Sequence, residues 1–214
     1  MFVLNDKTVL QPGKSWKDDD GLQHPSNWAT AWSTDEKTAR GIKEVAEEIR
    51  PDDKFYRVTG FDLNGKWSSS PKDLEDIKES GVVVSIGLKN QWIEKTKKTA
   101  NNLLADTDWQ VIAKAERDRA IDSDVATYRA AVITACTAIR KSITDITDTA
   151  IPSGYDAAKE KTDPTDAEKK IISDYETEVA NKFAAFKALF DAPVDSNGKP
   201  TGNAPMYDWP VMGE

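Results

Sequence analysis

The sequence predicts an α+β fold, with a small N-terminal β-rich unit, a mainly α-helical part with long amphipathic helices, and an extended C-terminal tail. Three observations support this prediction. Short strand-favouring runs separated by turn signals fill residues 1–70, and from residue 71 the apolar residues recur at helical spacing. Residues 191–214 contain four prolines, which a helix interior does not tolerate. We therefore divide the chain into residues 1–70, 71–150, 151–190 and 191–214.

Local signals in the first part predict a hairpin and a short helix. Asn64-Gly65 lies between two strand-favouring runs, and both residue types tolerate the positive φ angles of a tight hairpin turn. We expect the arms of this hairpin at 54–59 and 66–70. The run from Ser33 to Glu36 fits a capping box, which predicts the start of a helix of one or two turns.

Besides a helix that starts at Asp108, the second part is expected to contain three helices. Pro71 is followed by acidic residues, a pattern typical of a first helical turn, and this predicts a short helix to about Glu79. From Leu88 an apolar stripe returns at steps of three and four, with the lysines of the segment mostly on other faces. A longer stripe with the same steps predicts one long helix; its members are Val125, Tyr128, Val132, Cys136, Ile139, Ile143 and Ile146.

The third part is expected to form a turn-rich connection and a second long helix. A capping box from Thr165 to Glu168 precedes another apolar stripe, made of Ile172, Tyr175, Val179, Phe183, Phe186 and Phe190. Two stripes of similar length suggest an antiparallel helix pair, because each helix must bury its apolar face. The pattern fits pairing inside one chain and pairing between copies equally well, so a homo-oligomer is an open alternative.

Charge and composition exclude several classes of partner. The chain has 214 residues, with 29 basic and 37 acidic side chains and a formal net charge of −8. Proteins bind nucleic acids and anionic lipids through clustered lysines and arginines, so we expect neither as a partner. The longest apolar run, Val82 to Leu88, is too short to span a bilayer, and the N-terminus lacks a basic cluster before an apolar stretch. We therefore expect a protein made in the cytoplasm, with no membrane insertion.

Residue types typical of catalytic and metal sites form no recognisable constellation. The single Cys136 and the single His24 cannot supply the four ligands of a structural zinc site. Two Asp-x-Asn-Gly runs, at 62–65 and 195–198, resemble the beginnings of calcium loops, but a hairpin turn explains both. The chain contains no nucleophile elbow, dinucleotide fingerprint or phosphate-binding loop. We expect no catalytic residue, no metal and no cofactor.

Two apolar surfaces are candidates for contact with a partner chain. The tail carries apolar and aromatic residues that require a covering surface, namely Met206, Tyr207, Trp209 and Val211. The second long helix presents one apolar face, made of Ile172, Tyr175, Val179, Phe183 and Phe186.

The segment from Leu104 to Val132 carries a distinctive motif. A helix ends in leucine, Thr107-Asp108-Trp109 begins another, and Tyr128-Arg129 lies near the start of the next. This arrangement resembles tailed-bacteriophage tail-fibre assembly proteins and related proteins encoded beside tail-fibre genes. His24-Pro25-Ser26-Asn27-Trp28 is similar to the N-terminal halves of those proteins, and Asp208-Trp209-Pro210 resembles their W-P ending. The resemblance covers about residues 10–132 and the tail.

The same motif predicts a fixed helix corner from its residue types alone. Asp106 or Thr107 can cap the helix that starts at Asp108, and the apolar residues of its first turn can pack against the preceding helix. The predicted members of this corner are Leu103, Leu104, Thr107, Trp109, Ile112 and Tyr128. The motif is therefore expected to be a packing device rather than an active site.

The resemblance implies a function in virus assembly. A tail-fibre-associated protein would bind a tail-fibre or other tail polypeptide, assist fibre folding or attachment in the host cytoplasm, and either leave or stay in the virion tail. The alternative is a permanent structural component, an adaptor of the tail, baseplate or fibre. Both interpretations imply a protein that is not an enzyme.

Overall fold

The computed structural model describes residues 1–5 and 7–212 and has an α+β fold, as predicted. The chain divides into two compact units, Met1–Lys72 and Asp73–Glu214. The division lies two residues after the predicted end of the β-rich part. The predicted parts 71–150, 151–190 and 191–214 are not separated from one another; apart from two residues, they belong to the second unit.

The first unit consists of short antiparallel sheets and two short helices. In its three-stranded sheet the strand Phe2–Leu4 lies between Thr8–Leu10 and Ile42–Glu44, and Val3 pairs with Val9 on one side and with Lys43 on the other. Trp28 is fully buried against this sheet, and its indole N–H donates to the carbonyl of Lys14 at 3.0 Å. In chain order the elements are β1 (Phe2–Leu4), β2 (Thr8–Leu10), β3 (Trp16–Lys17), β4 (Gln23–His24), α1 (Trp28–Ala31), α2 (Thr34–Ala39), β5 (Ile42–Glu44), β6 (Tyr56–Phe61) and β7 (Trp67–Pro71).

The predicted hairpin and the predicted capping box of this unit are both confirmed. Strands β6 and β7 pair antiparallel, and the Ser33 hydroxyl accepts a hydrogen bond from the backbone N–H of Glu36 at the start of α2. The hairpin turn is closed by Asp62, whose carboxylate Oδ1 accepts the N–H groups of Asn64 and Lys66. The Asp62 carboxylate is thus directed onto its own turn, as the turn interpretation predicts.

The same turn occurs in the C-terminal tail. The Asp195 carboxylate accepts the N–H groups of Asn197 and Lys199, at 2.8 and 2.9 Å, and Val194 forms a β-bridge with Pro200. An Asp-x-Asn-Gly run closes a small hairpin in both units because the aspartate caps the turn and the glycine adopts positive φ.

The predicted short helix between Pro71 and Glu79 is wrong. This segment enters β8 (Ile77–Glu79), which pairs with β9 (Val82–Ser85) through Ser80-Gly81, two residues with positive φ angles. The carbonyls of Asp73 and Leu74, which a local helix would use, instead accept the N–H groups of Leu88 and Lys89. The acidic segment therefore caps the next helix rather than forming its own.

The second unit contains helices at the predicted places, namely α3 (Leu88–Ala105), α4 (Asp108–Arg117), α5 (Ser123–Thr144) and α7 (Asp166–Ala188). It also contains the short α6 (Tyr155–Lys159), which was not predicted, and a 3₁₀ turn at Pro205–Tyr207. The capping box at Thr165 is confirmed at the start of α7. The stripe of α5 buries Val132, Ile139 and Ile143.

Helix pairing differs from the suggested pair of long helices. The main partner of α5 is α3, and the main partner of α7 is the short α6. Two small side chains on α3, Thr96 and Ala100, are buried. Helix α6 lies in the connection that was expected to be irregular, and its Tyr155 ring contacts Tyr175 of α7 at a centroid distance of 4.5 Å.

Candidate protein-contact surfaces

The corner between α3, α4 and α5 is fastened by polar side chains. Thr107 is buried, and its hydroxyl donates to the carbonyl of Leu104 at 2.8 Å. The Arg129 guanidinium donates to the same carbonyl at 3.0 Å and to the Thr107 hydroxyl at 2.6 Å. The Tyr128 hydroxyl donates to the carbonyl of Leu103. The exposed carbonyls at the end of α3 are thereby satisfied by the first turns of α5.

Gln110 completes this corner, a role that the sequence did not suggest. Its side-chain Nε2 donates to the carboxylate of Asp122 at 2.8 Å, and its Oε1 accepts the backbone N–H of Asp122 at 2.9 Å. Gln110 is only 7% exposed. This reciprocal pair fixes the start of α5 against α4.

Trp109 and Ile112 do not provide the packing that was predicted for them. Trp109 is 51% exposed and Ile112 is 54% exposed, because the buried side of α4 is taken by Gln110. Trp109 and Ile112 lie three positions apart on one side of α4 and form an apolar surface there. The Arg119 guanidinium lies 5.3 Å from the centre of the Trp109 ring. We call Trp109 and Ile112 the α4 surface.

The tail residues are partly covered by their own chain. Met206 is buried, and its N–H donates to the carbonyl of Leu189 at 3.0 Å. The Tyr207 ring contacts Phe190, which in turn contacts Trp92 of α3 at 4.5 Å between centroids. Of the four predicted tail residues, Tyr207 and Val211 are exposed, Trp209 is half-buried and Met206 is not available to a partner.

An open groove lies between this tail segment and α3. Its volume is about 200 Å³. Helix α3 supplies Trp92, Lys95, Thr96 and Thr99, and the tail supplies Met206, Tyr207 and Trp209. We call this feature the tail groove.

The predicted apolar face of α7 divides into two halves. Phe183 and Phe186 are buried and therefore cannot be part of an exposed contact surface. Ile172 and Tyr175 are half-buried beside α6, and Val179 is exposed. The C-terminal half of this face is buried within the chain itself, and this burial accounts for the apolar pattern of α7 without a partner chain.

A buried lysine at the start of α3 is the main ionic feature of the second unit. The Lys89 ammonium contacts Glu75 at 2.6 Å, Asp148 at 2.9 Å and the carbonyl of Ile146 at 2.6 Å. Burial alone would lower the pKa of Lys89, but the bonds to both carboxylates outweigh it and raise the pKa above 10.5. Burial raises the pKa of Glu75, whereas the hydrogen bond from Lys89 lowers that of Asp148. A lysine held protonated in this way serves as a cross-link rather than as a nucleophile.

His24 and Cys136 lie in structural surroundings. His24 is buried between the rings of Trp16 and Trp32, and its Nε2 lies 3.0 Å from the carboxylate of Asp18. Cys136 is half-buried on the stripe of α5. Across residues 1–5 and 7–212, no group of three or more His, Cys, Asp or Glu side chains is arranged to hold a metal ion. None of the helices described there combines the length and hydropathy of a membrane span.

Comparison with family models, curated proteins and solved structures finds no match to this chain.

Proposed function

We propose that the chain is a bacteriophage tail-fibre-associated protein that binds a tail-fibre polypeptide and assists its folding or attachment. The proposal starts from the resemblance of the Leu104–Val132 motif and of the Asp208-Trp209-Pro210 ending to tail-fibre assembly proteins. It assigns the second unit as the binding part of the molecule.

One structural observation supports the proposal above the others: the tryptophan of the motif is exposed on a corner that is fixed without it. Polar contacts of Thr107, Gln110 and Arg129 hold the corner, while Trp109 and Ile112 face outward. Tryptophan is enriched among the residues that contribute most to binding at protein interfaces, because its large apolar ring can fill a pocket on the partner. A rigid corner would present this ring with little loss of conformational entropy on binding.

Co-expression with the tail-fibre polypeptide of the same phage tests the proposal. We expect soluble, trimeric fibre to increase in the presence of the chain, and the Trp109→Ser variant to lose most of this effect. Thr137→Ser is the matched control, because Thr137 is exposed on α5 outside the motif. Equal yields of soluble trimer with and without the chain would refute the assembly role.

The alternative function, a permanent adaptor of the tail, baseplate or fibre, predicts the same binding but a different fate. Mass spectrometry of purified particles separates the two. A copy number fixed by the symmetry of the tail supports the adaptor, whereas absence from the particle supports a transient assembly protein.

A further inference from the structure

The tail groove has the features of a binding site for a single side chain. Its lining includes three aromatic residues, Trp92, Tyr207 and Trp209, together with the buried Met206. An apolar cavity of about 150 Å³ accommodates a benzene ring, so the volume of about 200 Å³ is sufficient for one phenyl group. The groove is open to solvent along one side, which leaves room for the backbone to which such a group is attached.

Of the lining residues that the structure describes, the one charged residue is a lysine, although the chain has a net charge of −8. Helix α3 carries four lysines, of which Lys89 and Lys97 are paired with carboxylates, which leaves Lys95 and Lys98. The Lys95 ammonium lies at the groove, 4.0 Å from the centre of the Trp92 ring. Lys98 follows one turn later and is exposed. Among the described residues, no carboxylate lies within ion-pair distance of either lysine, and the Lys95 ammonium instead contacts the Trp92 ring.

We propose that the tail groove binds a segment of the tail-fibre polypeptide that carries an aromatic side chain with a carboxylate next to it. The ring would lie against Trp209 and Tyr207, where aromatic pairs are stabilised at centroid distances of about 4.5–7 Å. The carboxylate would lie at Lys95 and replace water around its ammonium group. This inference rests on the proposed function and adds the chemical class of the segment that is recognised.

A second copy of the chain is the competing occupant, because the exposed Asp108-Trp109 pair also combines a carboxylate with an aromatic ring. In this structure, however, the Asp108 carboxylate pairs with Arg129 at 2.9 Å. That pair must open before Asp108 can reach the lysine of another copy. A foreign segment with a free carboxylate avoids this cost.

The groove can be tested directly with a small probe. We choose 3-phenylpropionate, which has one ring and one carboxylate, and its neutral analogue 3-phenylpropionamide. Two-dimensional NMR of the indole N–H groups should show saturable shifts of Trp92 and Trp209 with the acid and at least threefold weaker binding of the amide at low salt. Lys95→Gln should remove this difference. Absence of saturable shifts at these two tryptophans, or equal binding of acid and amide, would overturn the proposal.

A groove-filling variant connects the site to the fibre. Thr99→Phe places a ring in the groove from α3, and Thr137→Phe places the same ring on the exposed side of α5; circular dichroism confirms that both are folded. We expect Thr99→Phe to weaken binding of the purified tail-fibre polypeptide at least tenfold and Thr137→Phe to leave it unchanged. Failure of the wild-type chain to bind would refute the proposed function. Equal binding of the fibre polypeptide by both variants would refute the groove as its binding site and would leave the proposed function intact.

Self-association gives the remaining outcome. A second copy bound in the groove would produce a concentration-dependent dimer that Thr99→Phe abolishes. Sedimentation of the purified chain should show no such dimer. Such a dimer would assign the groove to a second copy and overturn its assignment to the fibre.

Discussion

Replacement of Gln110 by alanine should destabilise the second unit far more than truncation of its apolar neighbour Ile112. Gln110 is buried and makes two hydrogen bonds to Asp122, one to the carboxylate and one to the backbone N–H. Ile112, two residues later on α4, is 54% exposed. A pattern of residue types alone would rank these two substitutions in the opposite order.

The expected magnitude follows from the bonds that are lost. Each hydrogen bond contributes about 0.5–1.5 kcal/mol, so the loss of both lowers the free energy of unfolding by about 1–3 kcal/mol. For a chain of this size each kcal/mol corresponds to about 2–4 °C, and a central value of about 2 kcal/mol lowers Tm by about 4–8 °C. Ile112→Ala removes mostly exposed surface, and we expect it to cost less than about 1 kcal/mol.

Urea unfolding followed by circular dichroism measures both variants in one experiment. The midpoint should fall clearly for Gln110→Ala and little for Ile112→Ala, with the slope unchanged for both. An equal loss, or a larger loss for Ile112→Ala, would show that apolar packing holds the corner. The assignment of the α4 surface to partner binding would then fail.

Three further predictions concern the second unit. Gly87→Ala should lower the free energy of unfolding by about 1–3 kcal/mol, because the added Cβ would lie 2.3 Å from the Glu75 carbonyl carbon. Gly202→Ala should be nearly neutral in the same urea assay, because its added Cβ would lie 3.7 Å from the nearest atom, Cγ of Pro193. Because the pKa of Lys89 is raised in the folded state, its ion pairs stabilise the fold fully below pH 10.5, and this stability is lost as the pH rises through the folded pKa. The fall of the urea midpoint at alkaline pH should therefore be smaller for Lys89→Met than for the wild-type chain. Identical pH profiles would contradict this. The hydrogen bond from Lys161 lowers the pKa of Glu168 to about 2, so the stability that the ionised Glu168 carboxylate gives the fold is lost as the pH falls through 2. ¹³C NMR should show this pKa rising toward 4.5 in Lys161→Met, and no change would refute the pairing.

Local signals predicted the elements that depend on neighbouring residues. Long apolar stripes located α5 and α7, and the capping boxes at Ser33 and Thr165 marked helix starts that the structure confirms. In these cases the residues that make the element also supply its hydrogen bonds. Sequence patterns are most informative under that condition.

Distant partners explain the features that the sequence did not predict. The acidic segment after Pro71 has the composition of a helix start, but its carbonyls cap α3, and the valines after Gly81 favour a strand. Lys89 has the spacing of a solvated residue on an amphipathic helix, but it is buried because Asp148, 59 positions away, supplies a counter-charge. No local pattern contains that information.

The candidate surfaces divide in the same way. The motif around Trp109 could be found from the sequence, but its periodicity did not show that Gln110 would take the buried side of α4. The tail groove depends on Met206 reaching the carbonyl of Leu189 and on Trp209 lying near α3, and both are tertiary facts. The sequence predicted contact residues in the tail but did not predict that three of them line a groove together with α3.

Hydrogen–deuterium exchange of the second unit, with and without the purified tail-fibre polypeptide, tests the central claim most directly. The claim is that the chain acts by binding this polypeptide through the α4 surface and the tail groove. We predict slower exchange in peptides that cover 108–117 and 205–211, and unchanged exchange in α2. A saturated complex that leaves both regions unprotected would contradict the account.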